Sequence, residues 1–126
     1  LGRALASAMV ELHEDDPRLH RVLSEEVPHP PATRARIRLL EDEMVDALGA
    51  ALATHPTLKV TQPARAARMI VGLLESATHR WATENGAPIS RAALIDELGW
   101  MVNGYLAARE VEVATNLRGA VLKGRR

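Results

Sequence analysis

The chain has five histidines, His13, His20, His29, His55 and His79. They have the widest chemical reach of its side chains, because an imidazole titrating near pH 6.5 can bind metal, move a proton or hold a ligand. His13 stands near the end of the first helical pattern, where it either answers the helix dipole from solvent or donates to a ligand inside a pocket. Glu75 and His79 are four apart, the spacing of a solvated polar pair on a helix surface. His29 and His55 precede prolines and read as loop residues. A di-metal carboxylate centre in a helical bundle needs Glu-x-x-His on two helices plus two further inward glutamates, and the chain lacks that doubled motif. Ser7, Ser24, Ser76 and Ser90 lie in no nucleophile elbow, and without cysteine there is no thiol route. Gly49, Gly72, Gly86, Gly99 and Gly104 are scattered, without the spacing that cradles a phosphate. The expectation is a protein that is not an enzyme and has no catalytic residue, metal site or cofactor.

The elements that would position these side chains are helices. Ala, Leu, Arg and Glu are abundant, Phe is absent, and aromatic residues make up 2% of the 126 residues. Sixteen basic and sixteen acidic side chains are interspersed. No net field gathers phosphates or anionic lipid, which argues against a free-standing nucleic-acid binder. The lack of cysteine suits a cytoplasmic setting, and no apolar stretch reaches the length of a membrane span. The length suits a single domain.

Apolar residues recur at helical spacing from Gly2 to Glu14. Asp16-Pro17 then opens a short helix, Arg18 to Val27, which ends in the stiff elbow Pro28-His29-Pro30-Pro31. A long helix follows from Ala32 to Thr54, with Ile37, Leu40, Met44, Ala47, Leu48, Ala51 and Leu52 on one face and an expected Arg38 to Asp42 ion pair beside it. Thr61 and Pro63 start the next helix, which reaches the stop signal Asn85-Gly86. Ser90 caps a further helix to Arg109. Residues 110–126 are helix-compatible, end in Lys123-Gly124-Arg125-Arg126, and read as a basic, frayed tail. The fold expected is all-α, a bundle of five to six helices, with a domain over residues 1–109.

Two of these helices carry more apolar surface than one core contact uses. With successive residues 100° apart, Ala66, Ala67, Met69, Ile70, Val71, Leu73, Leu74, Ala77, Trp81 and Ala82 cover an arc of about 220°, against the roughly 100° a helix needs for one core. In the last firm helix, Leu94, Ile95, Leu98, Met101, Val102, Tyr105 and Leu106 form one face while Trp100 lies on the back. A Trp there calls for a cover, and a second copy of the chain supplies one by completing a four-helix bundle across a two-fold axis. The expected dimer interface is Leu73, Ala77, Trp81, Leu94, Leu98, Trp100, Met101 and Tyr105.

At this point the sequence resembles the C-terminal domain of TetR-family transcriptional regulators. The likeness lies in Asp16-Pro17-Arg18-Leu19-His20-Arg21-Val22-Leu23-Ser24-Glu25-Glu26-Val27-Pro28, in the long helix after the proline elbow, and in the pair Ala66 to Trp81 and Leu94 to Leu106 joined by Asn85-Gly86-Ala87-Pro88. The resemblance implies that the first four helices surround a ligand pocket and the last two long helices form a homodimer. It also implies that DNA is reached only through a helix-turn-helix head upstream of Leu1, a hallmark these 126 residues do not include. Inducer binding would then alter the spacing of two recognition helices that must meet major grooves about one DNA turn apart.

The expected effector site is Met9, Leu12, His13, Leu40, Met44, Ile70 and Leu74, with methionine suited to an adaptable apolar cavity. The favoured reading is the sensing and dimerisation domain of a cytoplasmic repressor for a small, largely apolar effector. The alternative is a constitutive helical dimerisation or protein-interaction module with a filled core and no pocket.

Overall fold

The structure, a computed structural model, describes residues 1–15, 30–83 and 88–125. They form four helices and no strand: α1 (Gly2–Asp15), α2 (Pro31–Ala53), α3 (Pro63–Thr83) and α4 (Arg91–Gly124). The all-α class agrees with the sequence pattern, but the number of helices among the described residues is four rather than five to six. The short helix expected at 18–27 lies outside the described residues. The expected tail helix is continuous with α4, because nothing between Arg109 and Gly124 interrupts the backbone ladder.

Local chemistry accounts for most of the helix ends. Pro31 and Pro63 occupy first helical positions, where a missing N–H costs nothing and the fixed φ is already helical. Gln62, just before α3, takes a positive φ of 49°. Ser90 caps α4, its hydroxyl accepting from the Ala93 N–H at 3.2 Å. Between α2 and α3, the His55 Nδ1 accepts from the Leu58 N–H at 2.9 Å, which closes a compact turn.

The core lies around α3, which packs against α1, α2 and α4. Its Ile70, Val71 and Leu74 meet Met9 and Val10 of α1, Val45 and Leu52 of α2, and Leu98 and Val102 of α4 in one apolar cluster. Three neighbours within the subunit therefore account for much of the wide apolar arc read from the sequence. Helix α1 is fastened to α4. Its Gly2 N–H, an orphan donor of the first turn, finds the Asn103 Oδ1 at 2.9 Å. A Cβ on Gly2 would collide with the Gly99 carbonyl oxygen, so glycine is what lets the two backbones touch. Arg3 pairs with Asp96, and Arg91 donates to Glu14 at 2.9 Å.

Candidate ligand groove and exposed apolar face

Among the described residues several apolar surfaces remain after the core is filled: a concave one between α1 and α2, exposed residues of α3 and α4, and a strip of Leu117, Val121 and Leu122 on the far part of α4. The concave one is a groove of about 350 Å³. Its walls are Leu5, Ala8, Met9 and Leu12 of α1 and Met44, Ala47, Leu48 and Ala51 of α2, and its floor is Val71 and Leu74 of α3. Helical periodicity explains this lining: positions 5, 8, 9 and 12 share one face of α1, and positions 44, 47, 48 and 51 share one face of α2. The volume falls within the range of small-molecule sites, about 300 to 1,000 Å³.

Of the seven residues expected at an effector site, Met9, Leu12, Met44 and Leu74 line this groove. Ile70 is buried in the core beneath it. Leu40 is exposed one turn before Met44 and is not part of the lining. His13, read as a solvated or ligand-donating end residue, is 2% exposed and faces neither water nor the groove. Its Nδ1 lies 2.9 Å from the Met9 carbonyl oxygen, which places a proton on Nδ1 as donor. Leu5, Ala8, Ala47, Leu48, Ala51 and Val71 were not singled out by sequence. Ala47, Leu48 and Ala51 lay on the apolar stripe of α2, yet the stripe does not say which of its members are left uncovered.

The neighbouring polar groups are on α2 and α3. Glu75 follows Leu74 and is half-buried. Burial pushes its carboxyl above the usual value of 4.5, the charge of Glu41 pushes the same way, and His13 pulls it back. Glu75 is thus not the fully solvated surface residue that its spacing from His79 suggested. Asp42, expected to pair with Arg38, meets Arg68 of α3 at 3.3 Å. A single Glu-x-x-His spacing, Glu26 to His29, occurs in the chain and lies outside the described residues.

The second surface consists of exposed apolar residues on α3 and on α4. Trp100 is 67% exposed, Met69 59% and Met101 51%, with Leu73 exposed beside Met69 and Ala77 half-buried. Here the expected interface residues separate into groups. Leu73, Trp100 and Met101 are exposed, whereas Leu94 and Leu98 are buried among the core residues of their own subunit. They sit on the face of α4 that α1 and α3 cover. Tyr105 packs against the core, and its hydroxyl accepts from Arg109 at 3.0 Å. Trp81 is half-buried, its indole N–H donating to the Ile89 carbonyl at 3.0 Å. The two tryptophans therefore have opposite fates, one tied into the subunit and one bare. Met69, a member of the α3 arc beside the polar strip, was overlooked as a surface residue.

Residues 2–106 match the family described as tetracyclin repressor-like, C-terminal domain. The chain belongs to this family. The matched span takes in α1, α2, α3 and α4 up to its last core residue, Leu106, so it contains both the groove and the exposed face. The rest of α4 lies beyond the match, and there residues 115–125 are all exposed. No curated protein and no solved structure matches the chain. Membership identifies a regulatory domain of a TetR-type protein. No helix among the described residues is long and apolar enough to cross a membrane.

Proposed function

We propose that the chain senses a small, largely apolar effector for a TetR-type repressor acting in the cytoplasm, and that it works as a homodimer. The effector occupies the groove between α1 and α2. The partner copy covers Met69, Leu73, Trp100 and Met101, so that α3 and α4 of both subunits form a four-helix bundle. DNA is bound by a helix-turn-helix head upstream of Leu1, which the sensing domain repositions. No step of this reading uses catalysis or a cofactor.

The observation that carries the proposal is the groove, an apolar concavity of ligand size among the described residues and inside the span that the family match covers. Water leaves such a surface at a gain of roughly 25 cal/mol for each Å² of apolar area buried. A thermal-shift titration with N-phenyl-1-naphthylamine, a neutral apolar fluorophore, tests it. At 100 times its dissociation constant a ligand adds about 2.7 kcal/mol, a rise in Tm on the order of 10 °C for a chain of this size. No rise with any apolar compound counts for the constitutive module instead. One observation favours that second reading: among the described residues, no polar side chain lines the groove to orient a ligand.

A further inference from the structure

The two walls of the groove are held in different ways. Helix α1 is fastened to α4 at both ends, by Gly2 with Asn103 and Gly99 and by Arg3 with Asp96 at one end, and by Glu14 with Arg91 at the other. Helix α2 packs against α3 alone among the described helices. Its buried seam is Val45, Gly49 and Leu52, all in its C-terminal half, and a Cβ on Gly49 would already touch Ala64 and Ala67 at 3.5 and 3.7 Å. The loop that follows is pinned as well. Leu58 and Val60 pack on the core, and the Lys59 N–H donates to Glu110 at 3.3 Å. Ahead of Val45 no residue of α2 is buried, and the pair of Asp42 with Arg68 is exposed to water, which screens it.

We infer that α2 is the moving wall of the groove, swinging on its anchor at Gly49 and Leu52 while α1 and α4 hold together as one rigid unit. The inference rests on the reading of the groove as an effector site. Local stability follows buried apolar contact, and among the described residues every fully buried position of α2 lies at or beyond Val45, with Met44 the last partly buried residue packed on the core ahead of it. A helix is stiff, so a tilt at Gly49 is magnified along its length. Arg36 lies about 20 Å from that pivot and Met44 about 8 Å, so a tilt of about 10° moves Arg36 by about 3 Å and Met44 by about 1 Å. The groove thereby adjusts its width to its occupant, and the occupant's size is read out at the N-terminal end of α2.

The chain has no cysteine, so labelling sites can be introduced singly. Glu11, Arg36 and Glu97 are exposed on α1, α2 and α4. Spin labels on Glu11→Cys with Arg36→Cys span the groove, and labels on Glu11→Cys with Glu97→Cys stay within the rigid unit. The labelled chain is diluted into excess unlabelled chain so that only distances within one subunit are read. In the free protein the groove-spanning distribution is expected to be about twice as broad as the other. Saturating N-phenyl-1-naphthylamine is expected to narrow and shift it and to leave the Glu11 to Glu97 distance unchanged. Equal widths in the free protein, or a shift confined to the Glu11 to Glu97 pair, overturn the inference. Failure of the fluorophore to bind overturns the effector reading, and the widths in the free protein still decide whether α2 swings.

Discussion

The groove and the exposed face are built from the same aliphatic, methionine-rich material, and both border α3, yet they suit different occupants. Met9, Leu12, Met44 and Leu74 enclose a concavity, because α1 and α2 stand apart on either side of α3 without approaching each other. Met69 and Leu73 of α3 and Trp100 and Met101 of α4 are exposed and, among the described residues, line no groove between helices. A concavity surrounds a small molecule and removes most of its surface from water, whereas an open face can be covered only by something equally broad. Composition is common to both surfaces, so the arrangement of neighbouring helices makes the difference.

The largest effect that bears on this comparison belongs to neither surface. Leu98 is 2% exposed and lies two residues from bare Trp100. Leu98→Ala is expected to cost about 2 to 5 kcal/mol of stability in urea denaturation, whether or not the chain dimerises. A smaller loss than Trp100→Ala produces would mean that the inside and outside of α4 are misassigned. Next comes Trp100→Glu paired with Met69→Glu. Sedimentation should show the dimer weakened tenfold or more, about 1.4 kcal/mol or above, with the fluorophore still bound by the groove. Loss of fluorophore binding together with the dimer would show that the two surfaces are one site.

Ala47→Trp sharpens the comparison from the other side, since it fills the groove from an exposed position of α2. Fluorophore affinity is expected to fall about tenfold, roughly 1.4 kcal/mol, while the sedimentation profile stays that of the parent. An unchanged affinity would place the fluorophore elsewhere.

The smallest effect concerns Glu75. Its pKa is raised in the folded state, chiefly by burial, so between its ordinary value of 4.5 and the raised one the folded chain holds more proton than the unfolded chain. Its contribution to stability is therefore greatest below pH 4.5 and declines as pH rises through the folded pKa. Glu75→Gln should gain on the parent between pH 4 and pH 7 in urea titrations at both pH values, with the gain limited because the site is only half-buried. A variant that loses ground over that range would show that the charged form is the one the fold favours.

Much of the fold is legible in the sequence. The first, long and penultimate helices begin, and the long helix ends, within about two residues of where periodicity and the prolines put them, while the stop signals Asp16-Pro17 and Asn85-Gly86 lie outside the described residues. Their boundaries are local events, governed by caps, rings and missing donors. The last helix runs past Arg109 to Gly124, through the residues read as a helical tail, because no local signal in that stretch stops it. Within the groove, Met9 and Met44 were legible from their positions on apolar stripes. Ile70 and Leu40 share those stripes but lie one layer too deep and one turn too far out, a difference of depth that a helical wheel does not encode.

By itself, the sequence determined the all-helical class, the absence of a net field, the helix termini and an apolar surplus on the last two long helices, because each of these depends on neighbours close along the chain. Only the tertiary structure decided how that surplus is divided. It gave α3 three partners, turned Leu94 and Leu98 inward and Trp100 outward, buried His13, and left α2 anchored on one side of an open groove. The physical reason is that periodicity states how wide an apolar face is, while the number and placement of the helices that cover it depend on contacts between residues far apart in the chain.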